Sequence, residues 1–132
     1  MKKLIVIFNH TLTERQKEDA LCSLGVKQII FPPDDLSILW RKVPPDLEKL
    51  DEYLQPLAGW LTKSAGKSDY VLIQGEFGAT FFLVSFVLKQ GLLPIYSTTD
   101  RKAIEEHLPD GEVEIKHRFR HVRFRRYWEM TP

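Results

Sequence analysis

The sequence predicts an α/β protein with a mostly parallel sheet flanked by helices and a C-terminal edge strand. Three observations carry that reading. Short continuous apolar runs recur at residues 3–8, 26–31, 69–74 and 92–96, the pattern of strands buried on both faces. Stretches with helical spacing separate them, so the order is β-α-β-α-β-α-β-α. A length of 132 residues fits a single domain over 1–132, because two cores in so short a chain would each be marginal.

The first run, KLIVIF, gives way to a loop of Asn9, His10, Thr11 and Leu12. Thr13 followed by Gln16 forms a capping box for a helix that turns Ala20, Leu21 and Leu24 inward. Cys22 is expected on the apolar face of that helix, which stops at Gly25. The second strand, 26–31, ends at Pro32 and Pro33. Asp34 and Asp35 are then expected to cap a short helix through Trp40, and Pro44-Pro45 breaks it. From Asp46, the leucines 47, 50, 54, 57 and 61 recur at helical spacing, with Pro56 predicting a kink or a break and Gly66 closing the segment.

The third strand, 69–74, runs into GEFGAT and an apolar helix that ends near Gly91. Ser97, Thr98, Thr99 and Asp100 follow the fourth strand and are expected to cap a short helix over 103–108. Pro109-Asp110-Gly111 is a turn, and the chain from Glu112 reads as strand. Val113, Ile115, His117 and Phe119 share one parity there, whereas Val122, Phe124 and Trp128 share the other. A bulge or interruption is therefore expected near Arg120.

A hydrophobic content of 43%, with eight Phe, four Tyr and three Trp, excludes overall disorder. The lone Cys22 excludes a disulfide scaffold and a cysteine-built zinc site, and it fits a reducing cytoplasm. Met1-Lys2-Lys3 precedes an apolar run of only five residues, too short for a secretory signal. The longest apolar stretch, 77–88, has 12 residues, against about 20 for a membrane span. Charge is uneven: residues 116–132 carry six basic side chains and one acidic, so polyanion contacts should be local. That tail reads as an Arg-protected edge strand or as a basic lip for a phosphate or a partner subunit.

Parallel sheets bind ligands beyond the carboxyl ends of their strands. Those ends deliver Asn9-His10-Thr11, Gln74-Gly75-Glu76 and Ser97-Thr98-Thr99 to one expected rim. Gly75 and Gly78 permit close backbone approach, and the helix that follows offers free N–H groups to an anion. The spacing is neither a P-loop nor a dinucleotide fingerprint. His107, His117 and His121 lack metal-ligand spacing, so neither a metal nor a cofactor is expected. Ser97 lacks a nucleophile-elbow pattern, and a serine triad is not expected. Hydroxyls, amides, one imidazole and helix N-termini suit an RNA phosphodiester, which can be cut by aligning its 2′-hydroxyl without a metal ion.

FNHTLTERQ at 8–16, VPPDLEKLDEYLQPLAGWL at 43–61, DYVLIQGEFGATFFLV at 69–84, LLPIYSTTDR at 92–101 and HVRFRRY at 121–127 together resemble the small standalone Csx proteins of type III CRISPR systems, specifically the member numbered twenty. The resemblance implies a Rossmann-like, CARF-related fold and a symmetric homodimer. It implies binding of cyclic oligoadenylate, cyclic tetra-adenylate above all, and its opening to linear di-adenylate with a 2′,3′-cyclic phosphate. By that resemblance Gln74, Gly75, Glu76, Phe77, Gly78 and Thr80 would cradle the ligand backbone, with Asn9, His10 and Thr11 beside ribose or adenine. Ser97, Thr98, Thr99 and Arg101 would orient the scissile phosphate, with His10 moving the proton and Arg101 or a tail arginine meeting the developing charge. Three rivals stand beside the ring nuclease. One is a protein that sequesters the messenger without cutting it, another is a nucleic-acid adaptor using residues 117–128, and the third is an inactive regulatory subunit of a larger CRISPR complex.

Overall fold

The computed structural model describes residues 2–128; Met1 and the last four residues of the expected domain lie outside them. The element order is β1 (Lys3–Phe8), α1 (Glu14–Ser23), β2 (Gln28–Ile30), α2 (Asp34–Arg41), α3 (Asp51–Ser64), β3 (Tyr70–Gln74), α4 (Phe77–Lys89), β4 (Leu93–His107) and β5 (Val113–Arg126). The five strands form one sheet in the order β2-β1-β3-β4-β5. Every pairing is parallel except β4 with β5, so the fold is α/β with a mostly parallel sheet and an antiparallel edge.

Alternation along the central strands divides the core. Leu4, Val6, Leu72 and Ile95 face α1 and pack with Ala20, Val26 and Phe124. Ile5, Ile7, Val71 and Ile73 face the opposite layer, where Leu36 and Trp40 of α2, Leu54, Leu57 and Leu61 of α3, and Leu83 and Val87 of α4 cover them. Both faces are buried, which explains why these strands read as unbroken apolar runs. Pro56 lies within α3 without breaking it. That helix starts at Asp51 rather than near Asp46, leaving Leu47 exposed.

At the amino ends of the strands the buried Asp69 carboxylate accepts from Lys3 N at 3.0 Å and from Gly66 N at 2.8 Å. It ties the start of β1 to the entry of β3. Lys3 Nζ stands 3.9 Å from the same carboxylate.

Several expectations are corrected. Residues 97–108 form no helix: β4 continues to His107, turns through 108–112 and pairs back along β5. Cross-strand pairing, with Lys116 Nζ 2.7 Å from Glu106 Oε2, overrides the local helical propensity of KAIEEH. The expected register shift is present, between Thr98 and Thr99 on β4, where Thr98 faces Arg123 and Thr99 faces His121. Val122 is the extra residue, so His121 and Phe124 share the buried face. Asp34 and Asp35 lie in the first turn of α2, and the cap position is Pro33. Cys22 and Leu21 are exposed. Gln16 and Ala20 define the buried stripe of α1, and two more positions carry Cys22 about 200° around the helix.

Candidate functional site

The strand order reverses direction between β1 and β3, which makes their carboxyl ends the switch point of the sheet. What roofs this point is set by the length of α2. Eight residues span about 12 Å, too little to run back down a strand and cross over. The helix lies instead along the carboxyl edge, from Pro33 after β2 to Trp40, whose Nε1 donates to Gln74 O at the end of β3 (3.1 Å). A Cβ on Gly75 would sit 2.6 Å from the Trp40 ring nitrogen. The missing side chain at Gly75 thus admits an indole.

Two clefts open on this edge and share Phe8, Asn9 and His10. One, of about 230 Å³, lies over β3 and is completed by Gln74 and Gly75. The other, of about 260 Å³, lies toward β2 and adds Thr11, Lys17, Phe31, Ser37 and Arg41. His10 is exposed, and its ring meets Phe8 edge-on with centroids 5.4 Å apart. Asn9 Oδ1 is buried with no hydrogen-bond partner, an acceptor that awaits a donor. Among the described residues Arg41 forms no ion pair, while Lys17 meets Glu14 at 3.2 Å on the surface. The edge therefore combines an amide acceptor, an imidazole and two cations. Lys17, Ser37 and Arg41 were missed in the sequence. The Pro32–Pro33 and Pro44–Pro45 pairs signal a short helix between them, but not its direction across the strand ends.

The segment GEFGAT has a different arrangement from the expected cradle. Glu76 is the N-cap of α4 and accepts from Gly78 N (2.6 Å) and Ala79 N (3.4 Å) with its own carboxylate. The helix N-terminus offered to an anion is occupied by that internal anion. Phe77 points out at 93% exposure. Thr80 lies in a groove along α4 with Phe81, Val84 and Ser85, where its Oγ1 is buried without a partner.

The third expected contribution leaves the rim. Gln74 Oε1 accepts from Ser97 N (2.8 Å), capping β4 where its pairing with β3 ends. Ser97 is 7% exposed and joins a line of contacts. Gln16 Nε2 donates to Ser97 Oγ (3.2 Å), Oγ lies 2.5 Å from His121 Nδ1, and His121 Nε2 lies 2.7 Å from Asp19 Oδ2. Ser, His and Asp thus do meet, against expectation. The hydroxyl and the imidazole are both buried and only the carboxylate reaches solvent, whereas an attacking serine must be open to its substrate. The line clasps α1 to the bulge of β5, aided by Arg15 Nε donating to His121 O (2.6 Å). Burial raises the Asp19 carboxyl, but hydrogen bonds from Ser23 and His121 and the charges of His121 and Arg123 outweigh it and hold it below its ordinary value.

Thr98 Oγ1 donates to Arg123 O (2.9 Å), and Thr99 is exposed on β4. Arg101 lies four residues beyond Ser97, about 13 Å along the strand. It faces Phe119 and donates through Nε to His117 Nδ1 (3.3 Å). None of Thr98, Thr99 and Arg101 lines either cleft within one chain. Among the described residues no three His, Cys, Asp or Glu side chains are grouped to hold a metal ion, and no helix is long and apolar enough to cross a membrane.

No solved structure matches the chain. It is similar to a protein of Methanocaldococcus jannaschii named Uncharacterized protein MJ1673, at 44% identity over 127 residues that cover 96% of this chain and 98% of that protein. The match to the family pattern runs from residue 2 to residue 125 and so takes in both clefts, the α4 segment and nearly all of the hairpin; the chain belongs to the Uncharacterized protein MJ1673 family.

Proposed function

We infer that this protein binds a cyclic oligoadenylate at the β1–β3 edge, with cyclic tetra-adenylate as the favoured ring, and opens it to linear di-adenylate ending in a 2′,3′-cyclic phosphate. The reading makes it a CARF-related, Rossmann-like ring nuclease of the cytoplasm that switches off type III CRISPR signalling. It rests on the motif resemblance and on one observation above all. The partnerless Asn9 oxygen lies in an edge that also holds His10, Lys17 and Arg41. An acceptor awaiting a donor suits a ribose hydroxyl or an adenine amino group, and the two cations suit the phosphate beside it.

Chemistry follows from alignment. The ribose 2′-oxygen attacks phosphorus as the bond to the 5′-oxygen breaks, the 2′-hydroxyl proton leaves to a base, and the 5′-oxygen gains a proton. His10 is the proton-transfer group in this reading, because its imidazole lines both clefts and can accept or donate a proton there. Arg41 takes the charge-stabilising role first assigned to Arg101, because Arg41 lines the cleft and Arg101 does not. A second reading, a binder that does not cut, is favoured by one fact: among the described residues His10 is the only imidazole or carboxylic acid side chain lining either cleft.

Incubation of the purified chain with cyclic tetra-adenylate in EDTA, followed by chromatography, separates the readings. Linear di-adenylate with a cyclic phosphate end is expected. His10→Ala should slow its appearance by about a hundredfold or more with binding kept, and Arg41→Ala should weaken binding about tenfold or more. Intact ring co-eluting with the protein would establish the non-cutting binder, and a ring that never binds would remove both readings.

A further inference from the structure

Helix α4 has apolar residues on both sides. Ala79, Leu83 and Val87 are buried against the sheet. On the outer side Phe77, Phe81, Val84 and Leu88 follow one another at spacings of four, three and four, the spacing of a helix–helix seam. Phe77 is 93% exposed, Phe81 78%, and Trp128 beside them 86%. With Thr80, Ser85 and Tyr127 they line a groove of about 630 Å³. No charged side chain occurs over residues 77–88. A helix apolar all round is one that expects cover on every side.

We propose that a second copy of this chain covers the groove, with α4 of each protomer packed along α4 of the other about a two-fold axis and the two helix N-termini at the same end. The seam is self-complementary, as a two-fold interface must be, and it buries no charge. The area is of the right order. Three aromatics at these exposures offer on the order of 500 Å² per protomer. Val84, Leu88, Tyr127 and Thr80 bring the patch toward the roughly 800 Å² per partner of a stable interface.

The shared orientation rests on the cyclic oligoadenylate reading. The clefts of about 230 and 260 Å³ each fall below the roughly 300–1,000 Å³ of a small-molecule site. In this reading each cleft takes part of the ring, and a second protomer supplies the rest of the site. Phe77 starts the seam two residues after Gly75, so helices running the same way bring the two edges side by side over one ligand.

Sedimentation velocity of the full chain at micromolar concentration tests the interface without any ligand. The wild type should run as a dimer, and Phe81→Asp as a folded monomer with unchanged far-ultraviolet circular dichroism, its dimer dissociation constant raised about a hundredfold or more. Phe119→Asp, on the exposed face of the hairpin, should remain dimeric. A monomeric wild type, or a dimer that survives Phe81→Asp and dissolves with Phe119→Asp, overturns the proposal. Orientation is read with Cys22→Ser/Phe77→Cys: oxidation should join two copies through position 77, and a dimer that never cross-links there refutes the parallel arrangement. The two readings fail separately. A dimer that neither binds nor cuts the ring leaves the interface standing and removes the ligand; a Phe81→Asp monomer that cuts at the wild-type rate keeps the ligand and removes the shared site.

Discussion

The two ends of the parallel strands are finished in opposite ways. At the amino end the buried Asp69 has its hydrogen bonds made, to Lys3 N and Gly66 N, and neighbouring backbone bonds such as Leu93 N to Asp69 O (2.9 Å) close the remaining loops. At the carboxyl end Asn9 keeps a buried oxygen without a partner between two open clefts. A satisfied polar group stabilises the fold, whereas an unsatisfied one is a cost that a ligand can remove. The difference teaches which end holds the sheet together and which end is left for chemistry.

The largest effect should come from Asp69→Ala, which strands two backbone N–H groups and should cost about 3 kcal/mol in urea denaturation. A loss under about 1 kcal/mol would break the comparison at its structural end. Next, Gly75→Ala drives a methyl group into the Trp40 indole and should cost about 2 kcal/mol; this marks a position of the carboxyl end that is built for packing. Wild-type stability there would mean that Trp40 moves freely off the edge.

A smaller effect concerns acid. Asp19 lies below its ordinary value of 3.8 in the folded chain, so it binds a proton more readily when unfolded. Its contribution is present above the unfolded value and fades as pH falls through the lowered folded one. Asp19→Asn should flatten the fall of stability as pH drops below about 5 relative to wild type, and parallel curves would detach Asp19 from the clasp. The smallest effect on folding is expected from Asn9→Ala, within about 0.5 kcal/mol of wild type because it removes a group that makes no bond. Its ligand affinity should nevertheless fall about tenfold by titration. Destabilisation as large as that of Asp69→Ala would show both ends to be structural.

The parallel half of the sheet was legible because its strands are buried on both faces, and nothing but a buried strand explains KLIVIF or YVLIQ in that setting. The capping box of Thr13 and Gln16 formed as read. The hairpin was not legible, because KAIEEH is strand only through pairing with residues 113–118, and pairing partners are not a local property. The bulge was predicted correctly near Arg120 because a parity change leaves a mark in one strand alone. At the edge, Asn9, His10 and Gln74 could be read from strand ends, whereas Arg41 depended on the direction of α2. The contact of Ser97 with His121 depended on that same unpredicted hairpin.

The Trp40–Gly75 contact has a consequence for how this sequence can drift. With an indole nitrogen and two ring carbons closer than 3 Å to the place a Cβ would take, neither position is free to change while the other stays. A lineage that shrinks the side chain at 40 releases 75 to accept alanine or serine, and one that gains a side chain at 75 first must lose tryptophan at 40 to survive. Positions 35 residues apart are thereby inherited as one character, and an alignment of many descendants should show them substituted together.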